Sequence, residues 1–380
     1  MKLEGTNLRR RLLINSLLVF ALFSPPGIRG LSSGTCLPES SAVVSPEDAY
    51  EVSLYTIPRQ VYKENDGVDK PGPMESWVFN VLVKEKANLP LEPQSATIEF
   101  YAGRNLIKTV QFSAAALNAV RGVSFKSTTS SEFSAKSFSA QEESFDLRHR
   151  FSEPAALQID RLVYTLKLTT PRGKQIEKTL AIPVSNYAQK TKLIFPLKGP
   201  FTVLNGHVAD QGHQEWSQHF AYDIAGLGPH LELVKTDGET SGDWYGWGRE
   251  ILAPAGGAVI YSRNDVPDNS RPGVFDIDLL KKLPEPVWAI GGNCVVIDHG
   301  NGEFSFLAHM QKGSVLVKTG DRVKQGQAIG LLGSSGRSQA PHLHYHLMAG
   351  SILFRSDGLP SRFENLEIEV PKRGLYLEAK

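Results

Sequence analysis

Glycine-punctuated apolar runs in the second half of the chain constrain its fold more than any other feature. From about Lys192 onward, the sequence contains GREILAPAGGAVIYS, NCVVIDHGNGEFSFLAHM and GSVLVKTGDRVKQGQAIGLLG. Alternating apolar residues broken by glycine are typical of antiparallel β-hairpins, and HGNGE is a strong turn signal. The sequence therefore predicts a mainly β domain over residues 192–380.

Residues 37–190 show a different series of short β-patterned runs. WVFNVLV, ATIEFYAG and LIKTVQF are followed by RLVYTLKLTT and QIEKTLAIPV, which flank the turn sequence PRGK. Several short strands without helix signals predict an immunoglobulin-like β-sandwich. This segment contains only one of the ten histidines, His149, so we expect an accessory domain that acts as a scaffold or an interaction module.

The first 30 residues are typical of an export signal. A basic start precedes the apolar run LLINSLLVFALF, which the breaker SPPG ends. Such a run is shorter than the roughly 18–20 residues of a transmembrane span and fits a signal peptide. We therefore predict that residues 1–30 direct export to the periplasm, the cell wall or the medium, with no membrane span in the mature form. An uncleaved anchor is the alternative.

The composition excludes several classes of function. The chain of 380 residues is long enough for two domains, and its formal net charge of +1 gives no indication of a nucleic-acid partner. Two cysteines can form neither a disulfide framework nor a thiolate zinc site. Any metal site must therefore use histidine and carboxylate ligands.

Three histidines alternate in the stretch APHLHYHLM. In a β-strand, His342, His344 and His346 would all point to one face, while the intervening apolar residues point to the other. A strand face made of histidine suits metal binding or proton transfer, although a solvated sheet edge is the simpler alternative.

A second motif supplies a possible ligand pair. In HFAYDIA, His219 and Asp223 are four residues apart and share a face in either a strand or a helix. Catalytic zinc is held by about three protein ligands, with a further position left open. We predict that His219, Asp223 and His344 bind zinc.

Four ordered segments resemble the lysostaphin/LytM-type zinc metalloendopeptidases. They are SQHFAYDIAG, ILAPAGGAVI, NCVVIDHGNGEFSFLAHM and VKTGDRVKQGQAIGLLGSSGRSQAPHLHYHL, and they cover about residues 195–348. The resemblance implies a compact antiparallel β-sheet core of the duplicated-hybrid-motif type, with zinc in a groove. By position, His219 and Asp223 match the family's H-x-x-x-D ligand pair, and His344 matches its third ligand.

The resemblance also implies a mechanism. His342 and His309 match the family's two other active-site histidines, which take a proton from water activated by zinc, stabilise the oxyanion and protonate the leaving amine. Which of the two is the base stays open. His346 stands where many members carry glutamate, and we expect it to support His344 or to line the groove. The implied substrates are peptidoglycan stem-peptide cross-links or another peptide.

Two other functions compete with this interpretation. A non-catalytic module of the same fold could bind the cell wall or activate a hydrolase, but such relatives usually lack ligands, and all five positions are filled here. VLVKTGDRVKQGQAIG is also similar to lipoyl and biotin carrier hairpins, although a Met-Lys-Met turn is missing. His299 is expected to be a turn residue. The other three remaining histidines are expected in loops near the groove, where they could touch substrate but are more simply solvated: His207, His213 and His230.

Overall fold

The computed structural model describes most of the chain and confirms that it is mainly β. It describes residues 50–65, 72–86, 89–123, 144–207, 212–213 and 215–379, so the predicted signal peptide lies outside the described residues. No helix within these ranges has the length and apolar character that a membrane crossing requires.

The first half of the described chain forms one nine-stranded sheet. Its strand order is β5-β4-β8-β9-β2-β3-β7-β6, with β1 paired to β3. The pair β2–β9 is parallel, and the other neighbouring pairs are antiparallel. The elements are β1 (Val52–Ile57), β2 (Val61–Asn65), β3 (Met74–Glu85), β4 (Glu92–Ala102), β5 (Asn105–Ser113), helix α1 (Ala114–Ala119), β6 (Arg121–Val123), β7 (Ser144–Pro154), a 3-10 helix (Ala155–Leu157), β8 (Arg161–Thr169) and β9 (Gln175–Asn186).

Side chains from both ends of this sheet share one hydrophobic core. Trp77 and Phe79 of β3 are buried together with Phe100 of β4 and Tyr164 of β8. The rings of Trp77 and Phe100 lie 6.5 Å apart. The two antiparallel groups of strands are joined through the parallel β2–β9 pair, so an immunoglobulin type of sandwich is not confirmed and stays a prediction.

The second half forms another nine-stranded sheet, in the order β16-β13-β14-β15-β18-β11-β10-β20, with β19 paired to β18. A separate pair joins β12 to β17. The paired strands of this sheet all run antiparallel, as the hairpin signals predict. The elements are β10 (Gly199–Asn205), two 3-10 helices (Trp216–Gln218 and Ser241–Asp243), β11 (Tyr222–Gly226), β12 (Glu250–Leu252), β13 (Gly257–Arg263), α2 (Ile277–Lys282), α3 (Pro286–Ile290), β14 (Asn293–Asp298), β15 (Phe304–Met310), β16 (Arg322–Val323), β17 (Ala328–Leu331), β18 (Leu343–Met348), β19 (Gly358–Leu359) and β20 (Tyr376–Ala379).

Strand β18 separates the hydrophobic core of this sheet from its polar face. Leu343, Tyr345 and Leu347 belong to the core, while the alternating histidines point to the opposite side. All six residues of β18 are buried, so the polar face is covered as well. The solvated-edge alternative for the three histidines is therefore wrong.

A buried carboxylate fastens the segment after β9 to the second sheet. Glu303, at the turn before β15, is fully buried and accepts hydrogen bonds from Tyr187 Oη at 2.5 Å and from the backbone N–H groups of Lys190 and Thr191 at 2.7 Å. Burial tends to raise the pKa of Glu303, but these donors outweigh it and hold the pKa below its ordinary value.

We expect Glu303→Gln to lower the free energy of unfolding at pH 7 by about 1.5–3 kcal/mol, because hydrogen bonds to a charged acceptor are lost. The folded pKa is depressed, so the carboxylate contributes its full stability above the ordinary value of 4.5 and loses it as pH falls. Urea unfolding of both proteins at pH 7 and at acidic pH tests this. A stability difference that stays constant below pH 4.5 would contradict it.

Candidate active site

Three neighbouring strands of the second sheet carry most of the sequence-predicted site. β15, β18 and β11 lie side by side, and Asp223 of β11 is paired directly with His344 of β18. On the other side, His344 is paired with Ala308, the residue before His309. The register therefore brings side chains that are far apart in sequence to the middle of one sheet face.

His213, Asp223 and His344 form a compact group, here called the ligand cluster. Nδ1 of His344 lies 2.8 Å from Oδ1 of Asp223, and Nε2 of His213 lies 3.3 Å from the same oxygen. The three donor atoms all lie within 4.8 Å of one another, a spacing that could hold one metal ion. Two imidazoles and one carboxylate are a ligand set that zinc accepts, with a further position open.

The two histidines of the ligand cluster are oriented through their other ring nitrogens. Nδ1 of His213 lies 3.0 Å from the carbonyl oxygen of Gly206, which can only accept, so Nδ1 carries a proton and donates it, while Nε2 faces Asp223. Nε2 of His344 lies 3.0 Å from Nδ1 of His346. Such partners fix the ring orientation of metal-binding histidines. The arrangement fits a metal site.

His219, which the sequence predicts as a ligand, lies outside the ligand cluster. It follows the 3-10 helix Trp216–Gln218, and its buried ring lies near Phe220. A four-residue spacing gives a shared face only within a regular element, whereas His219 lies in a turn and β11 begins only at Tyr222. The structure therefore differs from the prediction: His213, expected in a solvated loop, takes the place of His219 beside Asp223.

His342 and His309 lie next to the ligand cluster. Nδ1 of His342 donates to the carbonyl oxygen of Ala340 at 2.7 Å, and its Nε2 lies 3.4 Å from Oδ1 of Asp223. Nδ1 of His309 donates to the carbonyl oxygen of Ser335 at 2.8 Å. The two rings lie 4.7 Å apart. Both imidazoles therefore have one nitrogen fixed by the backbone and the other left for chemistry.

The backbone of His309 adopts a left-handed conformation. Its φ is 64°, which is uncommon for a residue with a side chain and costs free energy. Hydrogen bonds on both sides hold it there, since the N–H donates to Gly291 and the carbonyl accepts from Gly333. Strain that the surrounding structure maintains in this way is frequent at functional sites.

The electrostatics of the site centre on Asp223. Burial tends to raise its pKa, but the neighbouring imidazoles of His342 and His213 lower it well below the usual range. Burial lowers the pKa of His309 well below its ordinary value, and His342 and His344 lower it further. At neutral pH, Asp223 is therefore an anion and His309 a neutral imidazole.

The site opens into a large cleft of about 2220 Å³ that both halves of the chain line. Phe275 and Trp288, on the long segment after β13, are among the residues that line it. The first half contributes residues of β1, β3 and β9 and the turn after β1, including Tyr55, Arg59 and Lys84.

A scan against protein families finds one match in this part of the chain. Residues 245–354 match the model described as Peptidase family M23. The match includes His309, His342 and His344. This segment is thus similar to the peptidases of family M23.

Curated relatives match short parts of the chain. The peptidoglycan DD-endopeptidase ShyC of Vibrio cholerae serotype O1 is 41% identical over 88 residues, 20% of this chain and 20% of that protein. ShyA of the same organism, also a peptidoglycan DD-endopeptidase, is 51% identical over 57 residues, 15% of this chain and 13% of its own. The glycyl-glycine endopeptidase ALE-1 of Staphylococcus capitis is 42% identical over 73 residues, 18% of this chain and 20% of its own. The chain thus spans a fifth or less of these relatives' length.

Solved structures give weaker likenesses. The catalytic domain of the M23 protein EnpA from Enterococcus faecalis is 20% identical, with a TM-score of 0.26 over 42% of this chain and 88% of that one. A zinc-containing peptidase from Vibrio cholerae is 14% identical, with a TM-score of 0.25 over 78% and 83%. Both TM-scores are too low to indicate a common overall fold.

Proposed function

We propose that this chain is an exported zinc metalloendopeptidase that hydrolyses peptide bonds of peptidoglycan, with stem-peptide cross-links as substrate. The observation that carries the proposal is the ligand cluster, flanked by His309 and His342 and opening into a cleft of an M23 peptidase domain. Two relatives named as peptidoglycan DD-endopeptidases support this substrate. A glycyl bridge is the alternative bond, in view of the relative named as a glycyl-glycine endopeptidase.

His213, Asp223 and His344 would hold the zinc ion. Their donor atoms converge, and the two imidazoles each have a polar contact that orients the ring. Zinc, when bound, would polarise a water molecule and the scissile carbonyl. It would thereby bring the pKa of that water toward neutrality. The Asp223 carboxylate offsets part of the added charge and leaves the site electrophilic.

The chain's own proton-transfer groups are His309 and His342. Since each donates its Nδ1 proton to a backbone carbonyl, each has Nε2 available to accept a proton from water or, once protonated, to donate it. One removes the proton from the attacking water, and the other stabilises the oxyanion and protonates the leaving amine. His346, 3.0 Å from His344, keeps that ligand's ring in position.

The cleft supports a polymeric substrate. Small-molecule pockets are usually about 300–1,000 Å³, whereas this cleft is about 2220 Å³. We assign residues 37–190 to an accessory domain, residues 192–380 to the peptidase domain with its core at about 195–348, and residues 1–30 to a signal peptide. A non-catalytic role in binding the cell wall or in activating another hydrolase is disfavoured, because the ligand cluster is complete and both proton-transfer histidines are present.

The first test concerns the metal. We expect His213→Ala to lose most of its zinc after dialysis against buffered zinc, because two ligands hold the ion poorly, while His219→Ala keeps it. Zinc is measured by atomic emission in wild type and in both variants, with His344→Ala as the reference for a lost ligand. Zinc loss in His219→Ala with full occupancy in His213→Ala would restore the ligand pair that the sequence motif predicts.

The second test concerns catalysis. His309→Ala and His342→Ala should keep zinc but hydrolyse isolated sacculi about 10²–10⁴-fold more slowly, because each removes a proton-transfer group. Mass spectrometry of the muropeptides that wild type releases identifies the bond cleaved. If the wild-type protein carries zinc and releases no muropeptides, the proposed substrate is wrong.

A further inference from the structure

Strand β2 of the first sheet presents alternate side chains to the second half of the chain. Val61 and Lys63 point into their own half, where Val61 joins the core and Lys63 forms a buried ion pair with Glu75 at 2.6 Å. Tyr62 packs instead against the core of the second half. Glu64, two residues further on, points the same way.

Glu64 forms a buried hydrogen bond with the second half. Its Oε2 lies 3.0 Å from Nδ1 of His207, and the two side chains are 6% and 2% exposed. Nε2 of His207 makes no hydrogen bond with the described residues, so Glu64 is the ring's one polar contact in that part of the chain. The ring also packs on Tyr222, with the ring centroids 4.4 Å apart.

His207 adjoins the carbonyl group that orients a proposed zinc ligand. Gly206, the preceding residue, accepts hydrogen bonds from both the backbone N–H and Nδ1 of His213, each at 3.0 Å. The carbonyl of His207 itself accepts from Gly212 at 2.9 Å. A Cβ atom on Gly212 would lie 1.8 Å from the carbonyl oxygen of Gly206, so the two backbones approach too closely for a residue other than glycine at this position. Residues 212 and 213 are thus held against Gly206 and His207 by hydrogen bonds.

We propose that Glu64 is a positioning residue for the metal site: by fixing His207, it holds the Gly206 carbonyl where that group orients His213. The first half of the chain thereby takes part in assembling the zinc site of the second half, although none of its residues contacts the metal. This inference rests on the proposed function, because it requires His213 to be a zinc ligand.

A pair of matched double variants tests the proposal in the full chain. Glu64→Leu/His207→Leu replaces both hydrogen-bond partners with apolar side chains, a change that can be nearly neutral for stability. Lys63→Met/Glu75→Leu removes the buried ion pair between β2 and β3 without touching the segment that holds His213. Glu64→Gln keeps an oxygen that can accept from His207.

The measurement is zinc affinity of the metal-free proteins, by competition with a chromophoric chelator well below their unfolding temperatures. We expect Glu64→Leu/His207→Leu to bind zinc about 10–100-fold more weakly, the usual effect of removing a group that orients a ligand. Lys63→Met/Glu75→Leu and Glu64→Gln should bind zinc with an affinity close to that of wild type.

Four results would overturn the proposal. Wild-type affinity in Glu64→Leu/His207→Leu would mean that the pair only joins the two halves, and equal weakening in both double variants would mean general loosening of β2. If Glu64→Leu/His207→Leu does not fold, weakened zinc affinity in His207→Gln still supports the role, and wild-type affinity in that variant overturns it. A wild-type protein that binds no zinc would instead overturn the metal site of the proposed function, and this inference with it.

Discussion

The buried carboxylate of Asp223 is the charge on which the rest of the site depends. A single oxygen, Oδ1, lies 2.8 Å from His344, 3.3 Å from His213 and 3.4 Å from His342. A carboxylate in a protein interior is tolerated only when it is paired and hydrogen-bonded. Its partners come from β18, from the turn before that strand and from the segment after β10. This one oxygen therefore constrains the pairing of β11 with β18, the turn that holds His342 and the position of the segment that holds His213.

The contacts to Asp223 also explain why β18 can be buried on both faces although half of its side chains are polar. The apolar side chains of β18 fill the core of the sheet, while its histidines bond to one another, to Asp223 and to backbone carbonyls. Each buried imidazole has a partner: His344 contacts His346, and His342 contacts Ala340. Buried polar networks of this kind are stable when their members are satisfied, and they then favour one arrangement.

Structural features that follow from a regular spacing of residues along the chain could be predicted from the sequence. The hairpins followed from alternation and glycine turns, and the shared face of His342, His344 and His346 followed from the two-residue period of a strand. To predict that Asp223 and His344 lie close together, it was enough to assume that their two strands pair. The His309 position came from family resemblance, whereas its left-handed φ had no signal in the sequence.

The remaining features depend on contacts between elements that no local pattern encodes. His213 lies beside Asp223 with its Nδ1 bonded to the carbonyl of Gly206, a contact between residues seven apart in sequence that no local period encodes. His219 carried the recognisable motif, but it lies in the turn before β11 and outside the ligand cluster. In the first half, the alternation of apolar and polar residues predicted strands but not which strands would pair. The parallel pairing of β2 with β9 depends on how the whole domain folds, not on a local pattern.

The cleft has walls from two different sheets. The ligand cluster lies on the second sheet and on the segment after β10, whereas Tyr55, Arg59 and Lys84 on the opposite wall come from the first half of the chain. Exchange of the first β-domain for another would change the shape of the cleft, and it would also remove Glu64, the partner of His207. The two walls therefore cannot diverge independently of each other.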